Sequence, residues 1–230
     1  MNKNLLEIKN LKKVFVSDNK KKIEIFKDAS FLLKPGELVA LTGPSGSGKS
    51  TLLNMLAMFD QPTSGNIKIL GKNFNTFSEN EKNEVRQSKI SMIFQNNNLL
   101  SDFTAVENVL LPLLIKGEEL STSKSKAQNM LKIVNLSNRE NHFPSELSGG
   151  EQQRVAIARS LISNSDIILA DEPTGNLDYK TSVEIFSYFL KLKKLKKGIV
   201  FATHNRELAN KADYKLRIYN GNIKRISAEK

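Results

Sequence analysis

The run Gly43-Pro44-Ser45-Gly46-Ser47-Gly48-Lys49-Ser50 follows the apolar stretch Leu38–Thr42 and leads into a helix-forming segment. Glycine at its first and sixth positions lets a tight turn aim backbone N–H groups inward. The helix N-terminus adds partial positive charge, so the segment from Gly43 to Thr51 is built to cradle phosphates. Lys49 is placed to reach the β- and γ-phosphates, and the Ser50 hydroxyl to ligate Mg²⁺. Further on, Asp166-Ile-Ile-Leu-Ala170 carries Asp171 and Glu172 to its end. An apolar strand would deliver both carboxylates to the ligand-binding edge of a parallel sheet. Asp171 would then hold Mg²⁺, directly or through water, and Glu172 would polarise an attacking water. Alone, such a pair before Pro173 would be read as a turn stabiliser; beside the phosphate loop the chemical reading is preferred. A third run, Leu147-Ser148-Gly149-Gly150-Glu151, is another glycine-rich, phosphate-sized turn opening a helix. One triphosphate needs one cradle, so the second raises the question of whose nucleotide it touches.

These residues need rigid elements behind them. Leu6–Val16 reads as a strand, Ser17 to Lys22 as a polar turn, and Ile23–Phe26 and Ala29–Leu33 as two further strands closed by Lys34-Pro-Gly-Glu37. Leu38–Thr42 is a buried-type strand and Ser50–Met58 a helix. Asn66–Leu70 and Ile90–Phe94 are strands, the latter ending at Gln95. From Thr104 to about Leu136 the pattern turns helical, with Pro112 and Gly117 as punctuation. Ser148–Ser163 and Ser182–Lys197 read as helices, Asp166–Ala170 and Gly198–Thr203 as strands, and Asn220-Gly221 as a hairpin turn. Strands alternating with helices predict an α/β fold with a parallel sheet. In the helix from Glu184, Ile185, Phe186, Phe189, Leu192 and Leu195 form an apolar stripe. Packing against the sheet is preferred over lying on anionic lipid.

The 230 residues suffice for one sizeable core with a packed subdomain. The absence of cysteine excludes disulfides and cysteine-ligated metals. The N-terminal segment, with Lys3 and Lys9, carries no long apolar stretch, so no signal peptide is expected. No window approaches the roughly 18–20 apolar residues of a membrane span. A net charge of +11 could mark a nucleic-acid partner. The lysines are scattered, however, and aromatics make up 7% of the chain, few for base stacking. The excess is read as compositional, in line with the abundance of Lys and Asn, and no nucleic-acid partner is expected.

The run Leu147-Ser-Gly-Gly-Glu-Gln-Gln-Arg154 resembles the signature sequence of ABC-type ATPases, the nucleotide-binding subunits of ABC transporters, and the match extends along nearly the whole chain. The resemblance implies a P-loop (RecA-like) α/β core, an N-terminal antiparallel β subdomain and a helical signature subdomain. Residues 1–230 would form a single domain, with about 96–160 as the inserted helical part. Phe15 falls where the family stacks an aromatic on adenine. Gln95 falls at the glutamine that ligates Mg²⁺ and senses the membrane subunit. Gly175-Asn-Leu-Asp178 resembles the family's D-loop, and His204 falls at the switch histidine, in contact with the γ-phosphate. ATP and Mg²⁺ are thus the implied substrate and cofactor. The family also answers the question of the second cradle. Its subunits pair head to tail, and Ser148, Gly149 and Gly150 of one would reach the nucleotide bound by the other. A homodimer under integral membrane subunits is implied, without direct contact to cargo.

Leu99–Val109, Pro112–Ile115, Asn141–Leu147 and Ala170–Asp178 together look most like ATPases of lipoprotein-releasing transporters. Such systems would supply LolC/LolE-like membrane subunits and place this chain peripherally on the cytoplasmic face of a bacterial inner membrane. Macrolide-export and cell-division ATPases are the alternatives within the family, and soluble ABC-type ATPases acting on nucleic acid or ribosomes a more distant one. A simple P-loop kinase or GTPase is disfavoured by the signature run. Ala57-Met58 departs from the family, standing where paired glycines are common, and so does Asn205, standing where aspartate is usual.

Overall fold

The computed structural model describes residues 4–16, 19–175 and 177–227. Lys3, Ser17, Asp18 and Asn176, each part of a segment read above, lie outside the described residues. The chain opens with two long antiparallel strands, β1 (Leu6–Val16) and β2 (Lys22–Leu33). β2 is one strand, not the two expected. Lys27 and Asp28 look like a polar break, but both stay extended because β1 flanks them and the Lys27 N–H reaches the Gly221 carbonyl at 2.8 Å. Then follow β3 (Leu38–Thr42), α1 (Lys49–Leu56), β4 (Ser64–Ile69), β5 (Lys72–Asn73), α2 (Glu79–Ser88) and β6 (Ile90–Ile93). The helical stretch holds α3 (Ala105–Ile115), α4 (Leu120–Ile133) and α5 (Gly149–Leu161). The chain finishes with β7 (Ile167–Asp171), α6 (Tyr179–Lys194), β8 (Gly198–Ala202), α7 (Arg206–Asn210), β9 (Tyr214–Tyr219) and β10 (Asn222–Ser227).

The strands run in the order β5-β4-β1-β2-β10-β9-β3-β8-β7-β6. From β9 to β6 all neighbours are parallel; β5, β4, β1 and β2 are antiparallel, and β10 bridges the two parts by pairing with β2. β3, β7 and β8 are apolar up to the polar ends Thr42 and Asp171, because both faces of these strands are covered. Alternation decides which face each side chain serves. Val39, Leu41, Leu169 and Val200 join one core with α1 and the antiparallel strands. Leu38, Ala40, Ile168, Ile199 and Phe201 join a second with α6 and α7. There Phe186 meets Phe201 edge-on at 5.5 Å between ring centroids. A third core, around Val109, Leu113, Leu131 and Val155, binds α3, α4 and α5 to one another.

The apolar stripe of α6 therefore packs on the sheet as expected, except that Leu195 lies beyond the helix end and is exposed. α6 also starts earlier than expected, at Tyr179, because Asp178 caps it: the Thr181 N–H donates to its carboxylate at 3.0 Å. Pro112 does not break the helical stretch; α3 runs through it. At the hairpin, Asn220 and Gly221 have φ of 48° and 76°, the paired left-handed turn that Asn-Gly favours.

Candidate functional site

β3 ends at Thr42 and α1 begins at Lys49, so the phosphate loop spans the carboxyl edge of the central strand. β7 and β6 lie on the same side of β3 through β8, bringing Asp171, Glu172 and Gln95 to that edge. The result is a cleft of about 540 Å³ lined by Ser45, Gly46, Gly48, Lys49, Ser50, Thr51, Gln95, Asp171, Glu172, Gly175, His204 and Ile25. Ten of these were expected from the sequence as nucleotide, metal or catalytic groups, and Gly175 as part of the D-loop run. Ile25 was not. Its Cγ2 would lie 2.4 Å from a Cβ placed on Gly48, whose φ is 98°. Gly48 is thus required twice, by its backbone and by Ile25. No motif marks Ile25; only strand pairing carries it to the loop.

The loop is prepared for an anion. Lys49 is buried, and its ammonium donates only to neutral carbonyls, Gly43 O at 3.1 Å and Pro44 O at 3.2 Å. Ser47 Oγ is buried without a hydrogen-bond partner. A buried ammonium left in this state is costly unless a ligand completes it, and phosphate oxygens would do so. Among the described residues no group of three or more His, Asp or Glu could by itself hold a metal ion. A hydroxyl, an amide and one carboxylate at Ser50, Gln95 and Asp171 suit Mg²⁺, which draws its other ligands from phosphates and water.

Glu172 has φ of 47°, a left-handed backbone rare for a non-glycine residue. Its N–H donates to Ala202 O at 3.2 Å, and the Gly175 N–H donates to its carbonyl at 3.0 Å. Its Oε1 is buried; His204 Nε2 lies 3.2 Å away but not in hydrogen-bonding alignment. Oε2 accepts the His204 backbone N–H at 3.4 Å. The carboxylate and the exposed imidazole are therefore already neighbours. The buried amide of Gln153, on α5, donates to Pro173 O at 3.2 Å and ties the Glu172 turn to that helix.

Several expected residues lie elsewhere. Gly43 and Pro44 face an adjoining cavity that also contains His204, while Ser47 packs behind the loop. Phe15, 42% exposed, stands on β1 opposite Ile23, at the strand pair that supplies Ile25. Asp178 uses its carboxylate to cap α6. Ser148, Gly149 and Gly150 do not line the cleft. Ser148 caps α5, accepting the Glu151 N–H at 3.3 Å while Glu151 accepts the Ser148 N–H at 2.8 Å. That second bond, chiefly, holds the Glu151 carboxyl below the ordinary range. A Cβ on Gly149 would meet nothing within 4 Å.

A phosphate loop, a strand-end carboxylate pair and a separate helix opened by Ser148-Gly149-Gly150, around one continuous sheet, define an ABC-type ATPase. The family model described as "ABC transporter" matches residues 26–175, and the chain belongs to that family. It is an ATP-hydrolysing subunit of an ABC transporter. Along its length it is similar to the lipoprotein-releasing system ATP-binding protein LolD of Treponema denticola, 42% identical over 98% of this chain and 100% of that one. It is also similar to LolD of Xylella fastidiosa, 39% identical over 92% of this chain and 89% of the other. Among solved structures, the dimeric post-hydrolysis state of the ATP-binding cassette MJ0796, bound to ADP and Pi, superposes with a TM-score of 0.92 at 36% identity, covering 98% of this chain and 99% of that one.

Proposed function

We propose that this chain is the ATPase of a lipoprotein-releasing transporter, working as a homodimer on the cytoplasmic face of an inner membrane beneath LolC/LolE-like subunits. The similarity to LolD over nearly the full length carries this reading. No helix among the described residues is long and apolar enough to cross a membrane, so the chain's own helices offer no span. A groove of about 570 Å³ between the core and α3, with Phe59, Met92, Leu111, Pro112 and Ile115 among its walls, offers a seat for such a subunit. The inserted helical part, about 96–160 of a single domain, would carry one wall of that seat.

In this reading Lys49 and the loop N–H groups from Gly43 to Thr51, that of Ser47 among them, hold the β- and γ-phosphates. Ser50, Gln95 and Asp171 hold Mg²⁺, which neutralises charge on the phosphates. Glu172 orients the attacking water and takes up its proton, and His204 touches the γ-phosphate. Phe15 stacks on adenine, and Asp178 serves the partner-facing D-loop. Ser148, Gly149 and Gly150 close over the γ-phosphate of the other copy, where the Ser148 hydroxyl can donate while still accepting its cap bond.

Affinity purification of the chain from detergent-solubilised membranes should recover integral membrane subunits, and the purified assembly should release lipoprotein from proteoliposomes with ATP. Recovery of ribosomes or DNA would overturn the proposal. Recovery of an export pump's membrane protein would reassign the chain to a sister system.

A further inference from the structure

Lys13 is among the least exposed charged groups of the described residues, at 8%. It lies on β1 two residues before Phe15, beside a register irregularity in the pairing with β2. Its ammonium donates to Asp60 Oδ1 at 2.6 Å and to Gln61 O at 2.7 Å, and it stands 4.7 Å from the centroid of the Phe15 ring. Asp60 and Gln61 follow the end of α1, the helix that starts at Lys49. The same loop is fastened again to β1 by Val14 N–H to Thr63 Oγ1 at 3.0 Å and Thr63 N–H to Lys12 O at 2.8 Å.

We propose that Lys13 is the positioning residue of the adenine platform: clamped by Asp60 and Gln61, its ammonium fixes the Phe15 ring for stacking. The inference rests on the assignment of Phe15 to adenine. This exposed phenyl ring at a strand end has a clamped ammonium set against one face, and that limits its rotamers. The cation also draws π density toward itself, leaving the opposite face less repulsive to a purine. Because the clamp is anchored just past α1, it sets the platform at a fixed place relative to the phosphate loop at the other end of that helix. Lys13 is not among the residues that line the phosphate cleft.

The test is equilibrium binding of ATP and of inorganic tripolyphosphate to the full chain, by competition against a fluorescent ATP analogue. Lys13→Met keeps the apolar stem and removes the charge. It should weaken ATP about fivefold, the scale of a partly desolvated cation–π contact, and leave tripolyphosphate binding unchanged. Lys13→Arg should restore ATP affinity. In a Phe15→Ala background, Lys13→Met should have no further effect. Wild-type ATP affinity in Lys13→Met, or equal weakening of tripolyphosphate, would overturn the proposal, the latter by showing a general staple for α1. If Phe15→Ala leaves ATP affinity unchanged, the adenine assignment falls too; if it weakens ATP while Lys13→Met does not, Lys13 alone loses its role.

Discussion

Glu172 sits in a conformation that costs an ordinary residue about 1–2 kcal/mol, and one of its oxygens is buried without a hydrogen bond. Neither feature stabilises the fold. Both make sense if the turn after β7 is shaped to aim a carboxylate into the cleft beside Asp171 and His204. Substitution by Gln keeps the shape and removes the proton acceptor. Glu172→Gln should therefore bind ATP as the natural chain does and lose about 100- to 10,000-fold in hydrolysis, the usual worth of a positioned base. Phosphate release under single-turnover conditions measures this, with bound nucleotide counted on the same sample. Hydrolysis at the natural rate would remove Glu172 from the base role. The residue's type and place were legible from the apolar run before it. Its left-handed backbone was not, because nothing in Asp-Glu-Pro announces a positive φ; the pairing with Ala202 imposes it.

Helix starts carry most of this chain's perturbed carboxylates. Glu81, Glu107 and Glu151 each close a capping box at the N-terminus of α2, α3 and α5. Glu81 is held at about 2, first by the Lys72 ammonium and then by the Ser78 backbone N–H. Glu119, capping α4, is likewise held at about 2, first by the Ser121 hydroxyl. Glu107 is held low by the Thr104 hydroxyl first. Each folded value lies below that of the unfolded chain, so the stabilisation is complete above about pH 4.5 and is lost as pH falls toward 2. The urea midpoint should fall over that window. Glu81→Gln, which keeps an acceptor but cannot be protonated, should make the fall shallower. An unchanged slope would mean that the caps persist with neutral acids. Such boxes are legible in sequence: Ser78-x-x-Glu81 marks the start of α2, a largely polar helix that apolar periodicity does not announce. α7 is not legible in the sequence because five residues carry too little periodicity. β2 was split because exposed Lys27 and Asp28 look like a turn when the strand beside them is not in view.

At the scale of the whole molecule, the second glycine-rich turn is the feature that its own chain does not explain. Gly149 opens α5 where a side chain would meet only open space, so no internal contact demands glycine. Glycine within a helix costs roughly 0.5–1 kcal/mol relative to alanine. Gly150 differs: a Cβ there would touch Leu177 at 3.4 Å. A position that forgoes stability for bare backbone, on an exposed helix N-terminus outside the nucleotide cleft, points to close approach by another molecule. The MJ0796 cassette on which this chain superposes is dimeric. Gly149→Ala should therefore move two measurements in opposite directions. Its melting temperature should rise by roughly 1–4 °C, as a gain of 0.5–1 kcal/mol implies for a chain of this size. Its ATP hydrolysis should fall, toward 100-fold, because the added methyl holds the facing nucleotide off by about an ångström. ATP affinity of the isolated chain should not change, since the substituted residue lies outside its own cleft. Loss of that affinity would assign the turn to its own subunit's nucleotide. A variant both more stable and fully active would show that nothing approaches Gly149 during turnover.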